Sequence, residues 1–206
     1  MIKIFVDTCV WRHWFTFKAK KTLKNPELKK NAEAFDKIYE LVISNPLNFV
    51  FIYNACIQNE LKQYSNEFAK LTQLKNFNNI SIPLSRADGT HLADGSVLAG
   101  GNFGGTVRKI LSLYGHDHEK AIQKTPPDMK NVNFAHNKPR KKEFDIEHLE
   151  SALEANADIF ITTDQKLIDR LDLAKEKYSA SEEVAFARKI CFLPVDAISE
   201  LLYKAD

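Results

Sequence analysis

Short apolar runs alternate along the chain with longer segments of helical periodicity. Phe49 to Tyr53 is a continuous apolar run and Ile2 to Val6 is apolar except at Lys3, which is typical of strands buried in a sheet. Between them, apolar residues at three- and four-residue spacing predict a helix that ends at Asn45-Pro46. A long helix is predicted from about Ala55 to Leu74. The residues that form its apolar stripe are Ile57, Leu61, Tyr64, Phe68 and Leu71.

A second regular block begins at Glu143. Its pattern predicts a helix to about Asn156, a strand at Ile159 to Thr162 and helical sequence from Gln165. A further strand at Ile190 to Leu193 and a last helix to about Lys204 complete the block. Strands that alternate with helices predict an α/β fold with a central, mostly parallel sheet covered on both faces, a three-layer α/β/α sandwich.

Residues 77 to 142 differ in composition from both blocks. Six of the seven glycines fall between Gly89 and Gly105, and Pro-containing polar sequence follows them. A chain of 206 residues suits one domain better than two. We therefore expect residues 1 to 206 to form a single domain in which 77 to 142 are a Gly-rich insertion or lid outside the sheet.

The composition of the chain excludes only a few classes of function. The net charge is +2, too small to indicate nucleic-acid binding by itself. The basic segments Lys18 to Lys30 and Lys138 to Lys142 are typical of solvated surface, although beside a metal centre they would also suit phosphate binding. Three cysteines without a C-x-x-C pair exclude a disulfide framework or thiolate zinc site, and no apolar run is long enough to cross a bilayer. With no export signal recognisable, we expect a cytoplasmic protein.

Acidic residues stand where parallel α/β proteins place their sites. Asp7 directly follows the first strand, and Asp164 closes the run Ile159 to Thr163. The carboxyl ends of parallel strands meet at one edge of the sheet, so these two side chains are candidates for a shared site. The alternative for each residue is a structural role as a helix N-cap.

Two further acids lie on helix faces turned towards the sheet. With Ile57 at 0°, Glu60 lies at about −60°, at the edge of the apolar stripe. With Ile146 at 0°, Asp145 lies at about 260°, beside Leu149 and Ala152 and away from the other acids of that helix. A solvated boundary residue is the alternative for Glu60, and an N-cap is the alternative for Asp145.

Four carboxylates converging in one crevice would repel one another strongly. Either some of them bind protons or a divalent cation neutralises them. A ligand set made only of oxygen atoms suits Mg²⁺ or Mn²⁺. The sequence therefore predicts a magnesium or manganese site formed by Asp7, Glu60, Asp145 and Asp164.

The order of these motifs resembles that of the PIN-domain nucleases. The matching segments are Ile4-Phe5-Val6-Asp7-Thr8, Asn59-Glu60-Leu61, Asp145 with Ser151-Ala152-Leu153, and Phe160-Ile161-Thr162-Thr163-Asp164. The resemblance covers about residues 1 to 76 and 143 to 195, and its most specific part is Asp145 to Leu167. The Gly-rich insertion lies outside it.

The resemblance implies a function and a fold. It implies a PIN-like α/β/α domain and an endoribonuclease that uses Mg²⁺ or Mn²⁺ to hydrolyse RNA, leaving 5′-phosphate and 3′-hydroxyl ends. The four acids would hold the metal and act in catalysis, with Thr8 and Thr162 at supporting positions. Many small PIN proteins are toxins paired with an antitoxin, so an antitoxin protein and a second copy of the chain are partners that the resemblance leaves open. The alternative is a non-catalytic PIN-fold module that binds RNA or protein.

Other motifs support different functions less well. His116-Asp117-His118 suggests an HD-type phosphohydrolase, but its spacing and helical context are poor. Asp7-Thr8-Cys9-Val10 lacks the second Asp of a phosphoaspartyl hydrolase. Gly100 to Gly105 lacks the Lys of a phosphate-binding P-loop, and we expect only turns there.

Overall fold

The computed structural model describes residues 1–19, 23–80, 148–149, 151–177 and 182–205. Within them, five strands form one sheet in the order β3-β2-β1-β4-β5, and every neighbouring pair is parallel. Each parallel connection requires a crossover, and the helices of the chain supply it. The predicted α/β class and parallel sheet are confirmed.

The described helices and strands follow one another as the predicted alternation requires. The strands are β1 (Ile2–Val6), β2 (Phe49–Tyr53), β3 (Phe77–Asn79), β4 (Ile159–Ile161) and β5 (Cys191–Phe192). The helices with defined ends are α1 (Thr8–Lys18), α2 (Pro26–Ser44), α3 (Ala55–Glu60), α4 (Ser65–Thr72), α5 (Gln165–Lys177), α6 (Glu182–Ile190) and α7 (Pro194–Ala205). Residues 148, 149 and 151 to 154 are also helical.

Both faces of the sheet are covered. All residues of β2 and β4 are buried, and successive residues in a strand point to opposite faces. Helix α2 packs against α1 and α7, whereas α5 packs against α6. This arrangement is consistent with three α/β/α layers. None of the helices in the described part of the chain combines the length and apolar character needed to cross a membrane.

Helix α1 was not predicted from the sequence. Its residues include two tryptophans and other bulky side chains, which are mediocre helix formers. Packing supplies the stability instead, because Trp11 contacts aromatic side chains from α2, β2, α4 and β3. Those side chains are Phe35, Phe51, Phe68 and Phe77. The aromatic cluster therefore fixes the helix that begins directly after Asp7.

The long helix predicted from Ala55 to Leu74 is wrong as a single element. Helix α3 ends at Glu60, a 3-10 turn occupies Lys62–Tyr64, and α4 begins at Ser65. Leu61, with φ −90° and ψ 17°, leaves the α-helical region and is completely buried. Leu61 and Phe68 are both buried, and the break places Glu60 at a helix end.

The predicted start of the insertion is also wrong. Phe77–Asn79 forms the edge strand β3 and pairs with β2 from Phe51 to Tyr53. Residues 81 to 147, which hold the rest of the predicted insertion or lid, lie outside the described part of the chain. The sheet therefore includes the first three residues of the segment that composition had placed beyond it.

Candidate functional site

Asp7 lies at the carboxyl edge of the sheet, next to the end of β4. Val6 pairs with Ile161, and the Asp7 amide donates to the Ile161 carbonyl at 2.9 Å. Asp7 occupies the N-cap position of α1, yet its side chain makes no capping hydrogen bond. The Asp7 carboxylate therefore does not act as the helix cap that the structural alternative proposed.

The Asp7 carboxylate is buried and receives hydrogen bonds on both oxygens. Thr162 Oγ1 donates to Oδ2 at 2.7 Å and Cys9 Sγ donates to the same oxygen at 3.0 Å. His148 Nδ1 lies 2.9 Å from Oδ1. One neighbouring side chain, Cys9, and two that are distant in sequence, His148 and Thr162, thus converge on one strand-end carboxylate.

His148 joins Asp7 to Glu60. Its Nε2 lies 3.2 Å from Glu60 Oε1, an ion-pair distance, so each ring nitrogen faces one carboxylate. On the other side of Glu60, Arg12 Nη2 donates to the Glu60 backbone carbonyl at 2.9 Å and lies 4.0 Å from Oε2. Two acids of the predicted set are therefore brought together, with His148 between them.

Contacts with His148 determine the ionisation of both acids. Burial by itself would raise the pKa of Asp7, but the hydrogen bond and positive charge of His148, with the Cys9 and Thr162 donors, hold it below its usual value. Burial also raises the pKa of Glu60. The hydrogen bond and the charge of His148 outweigh this effect, so the pKa of Glu60 is lowered as well. Both side chains are carboxylates at neutral pH.

These lowered pKa values predict a loss of stability in acid. A carboxyl whose pKa is depressed in the folded state stabilises the fold above its unfolded pKa, and that contribution disappears as the pH falls through the folded value. Unfolded Asp and Glu titrate near pH 3.9 and 4.3. We expect the free energy of unfolding to fall as the pH decreases from about 5 towards 3. Urea titrations across this range would measure it, and a Glu60→Gln protein with an unchanged pH dependence would contradict the assignment for Glu60.

Cys9 is a hydrogen-bond donor and not a nucleophile. Burial and the adjacent Asp7 charge raise the pKa of its thiol well above the usual range. The proton therefore stays on sulfur and forms the hydrogen bond to Asp7. Sγ in turn accepts hydrogen bonds from the Thr163 amide and hydroxyl. A thiolate mechanism needs the opposite electrostatics.

Asp164 is connected to the cluster through Thr162. The Thr162 hydroxyl, which donates to Asp7, accepts a hydrogen bond from the Asp164 amide at 3.0 Å. Asp164 Oδ1 also accepts from the amides of Lys166 and Leu167, so it caps α5 as the structural alternative proposed. Capping occupies one carboxylate oxygen of Asp164. The metal-binding and catalytic role of this residue stays a prediction.

Asp145, the fourth predicted acid, lies outside the described residues. His148 follows it by three positions, and sequence reasoning missed the histidine. The signal was present, because residues three apart in a helix share a face and His148 lies at about 200° on the wheel that placed Asp145 at about 260°. Cys9 and Arg12 were also missed. No periodicity pointed to them, since their contacts depend on helix α1.

The ligand atoms of this cluster are of the type that a hard divalent cation prefers. Asp7 and Glu60 offer carboxylate oxygens, the ligands that Mg²⁺ and Mn²⁺ prefer. Within the described ranges, no group of three His, Cys, Asp or Glu side chains is arranged to hold a metal ion. A site with the predicted composition would require Asp145 in addition.

Comparisons of the chain with protein-family models, with curated proteins and with solved structures found no significant match in any of the three.

Proposed function

We propose that this protein is a metal-dependent endoribonuclease of the PIN type, hydrolysing RNA to 5′-phosphate and 3′-hydroxyl products. The observation that carries the proposal is the buried Asp7 carboxylate. It stands at the carboxyl end of the central strand, does not cap the helix that follows, and is joined through His148 to Glu60.

Burying these charged groups costs free energy. A functional role therefore explains the cluster better than a contribution to stability does. Buried charges lose hydration, and replacing a buried ion pair with apolar groups of similar size is often neutral or stabilising. A group with a shifted pKa at a strand-end crevice is in turn a frequent mark of a functional site. The Asp7, His148 and Glu60 cluster meets both conditions.

The proposed Mg²⁺ or Mn²⁺ ion would be held by Asp7 and Glu60, with Asp145 and Asp164 completing the set. When bound, such an ion neutralises phosphate charge and lowers the pKa of a coordinated water. The residues of the chain prepare its binding: Thr162 and Cys9 keep Asp7 in place and ionised. No covalent intermediate with the protein is required.

Arg12 brings positive charge to the edge of the acidic cluster. Its side chain is 41% exposed, while its Nη2 is anchored on the Glu60 carbonyl. Guanidinium groups bind phosphate through several donors in one plane. We expect Arg12 to contact an RNA phosphate, and the Lys18 to Lys30 segment, which follows on the chain, to bind the backbone further along.

The parallel sheet topology is compatible with the PIN resemblance, but it does not by itself indicate the function. A parallel α/β sheet hosts many functions, so the proposal depends on the acids and not on the layers. Asp7 follows β1, Glu60 is the last residue of α3, and Asp164 directly precedes α5. An antitoxin partner and homodimer formation remain parts of the proposal that follow from the resemblance, and action in the cytoplasm is proposed from the cysteine pattern.

RNA cleavage in the presence and absence of metal tests the function. Purified protein is incubated with mixed RNA in Mn²⁺, in Mg²⁺ or in chelator, and the ends of the products are identified. We expect cleavage only with metal and 5′-phosphate ends. Cleavage that persists in chelator would contradict the mechanism. RNA that is bound equally well in chelator but never cut would favour the non-catalytic binding module.

A further inference from the structure

His148 and Asp7 are the buried members of the acidic cluster. Their side chains are 1% and 2% exposed, whereas that of Glu60 is 21% exposed. The ring and Asp7 therefore lie deeper in the protein than Glu60 does. A ligand arriving from solvent would meet Glu60 before it met the imidazole.

The hydrogen bonds on Asp7 limit how it can bind anything else. An ionised carboxylate has about four lone-pair positions, two on each oxygen. Thr162 and Cys9 both donate to Oδ2, and His148 faces one position of Oδ1. Among the described residues, Oδ2 therefore accepts from two donors and Oδ1 faces one, which makes Oδ1 the better placed oxygen for a cation.

The position of the ring also explains how the two carboxylates can lie close together. Its Nδ1 lies 2.9 Å from Asp7 Oδ1 and its Nε2 lies 3.2 Å from Glu60 Oε1. The imidazole thus stands between the two acids and contacts both of them.

We propose that His148 is a positioning residue for the metal site: it contacts Asp7 Oδ1 and Glu60 Oε1 at the same time and so fixes the two carboxylates relative to each other. This inference rests on the proposed function, since it assigns a role within the same site. Side chains that orient metal ligands typically change metal affinity or activity by about 10- to 100-fold when they are removed.

Manganese affinity in the absence of RNA tests the proposal. Free Mn²⁺ is followed by electron paramagnetic resonance as protein is added, for the wild type and for His148→Ala, His148→Asn and His148→Gln. We expect the apparent Kd for Mn²⁺ to rise about 10-fold or more in His148→Ala. Asn and Gln each keep an amide donor and should restore part of the affinity. At saturating Mn²⁺, the kcat of the Asn or Gln protein should recover more than its activity at low Mn²⁺.

Leu149→Ala is the matched control for folding. Leu149 is the next residue and is just as buried, but it is apolar. Its truncation should lower the midpoint of thermal unfolding and leave the Kd for Mn²⁺ unchanged. Should His148→Ala not fold, the Asn and Gln proteins decide the question.

The outcomes separate the two proposals. If the wild type binds Mn²⁺ and the folded His148 variants bind it equally well, the positioning role is wrong and the proposed function stands. Tighter binding by the variants would also overturn the role, since it would mean that the histidine competes with the ion. A wild type that binds no Mn²⁺ overturns the proposed function, and the inference with it.

Discussion

Replacing Asp7 by Asn should reduce RNA cleavage by on the order of 10²-fold or more while leaving the protein folded. Asparagine has nearly the shape of aspartate, and its carbonyl oxygen can still accept from Thr162 and Cys9. It lacks the negative charge that a divalent cation requires. The measurement is kcat/KM on RNA at fixed Mn²⁺, with circular dichroism and thermal unfolding of the same preparation.

Asp172→Asn is the control for this substitution. The chemical change is identical, but the Asp172 side chain is 50% exposed on α5 and its partner is the surface residue Arg188. Exposed ion pairs contribute little, so neither stability nor cleavage should change measurably. A fully active Asp7→Asn protein would show that the buried carboxylate has no part in the reaction.

Replacing Trp11 by Ala should produce the largest loss of stability. The indole is buried among aromatic rings from four other elements, and large aromatic-to-alanine changes in cores cost about 3–5 kcal/mol. For a chain of this size, about 1 kcal/mol corresponds to a change of roughly 2–4 °C in Tm. We expect Tm to fall by about 6–20 °C, measured by calorimetry or circular dichroism.

Tyr203→Ala is the corresponding control on the surface. Tyr203 is also a large aromatic residue in a helix, but it is 80% exposed on α7. Its removal should change Tm by no more than a degree or two, because surface substitutions are usually within about 0.5 kcal/mol. Similar losses in both variants would mean that Trp11 is not part of a well-packed core.

Strands β1, β2, β4 and β5 and the position of Asp7 were predictable because they depend on neighbours in sequence. A run such as Phe49–Tyr53 is apolar at every position, so it must be covered on both faces wherever it lies. The residue that follows such a strand in a parallel sheet must lie at the carboxyl edge. For the same reason, the helix ending at Asn45 could be read from its periodicity and its terminating residues.

Tertiary packing alone decided the elements that lack a local signal. Helix α1 forms from residues with modest helix propensity because its aromatic side chains fill a core built by other segments. The break at Leu61 likewise has no local signal, since the apolar stripe that contains Leu61 and Phe68 continues through it. Strand β3 is too short to be recognised by alternation, and it exists because β2 offers it an edge.

The candidate site also has residues that the sequence predicted and residues that only the tertiary structure revealed. Sequence reasoning identified Asp7 because it follows a strand and Glu60 because it lies at the edge of a helical apolar stripe. The histidine that joins them is 141 residues from Asp7 along the chain. Such a contact depends on how β1, α3 and the helical residues near 148 come together in space, and no local pattern encodes that distance. Composition and periodicity thus determined which acids stand at the edge of the sheet, and only the folded chain decided which side chain neutralises them.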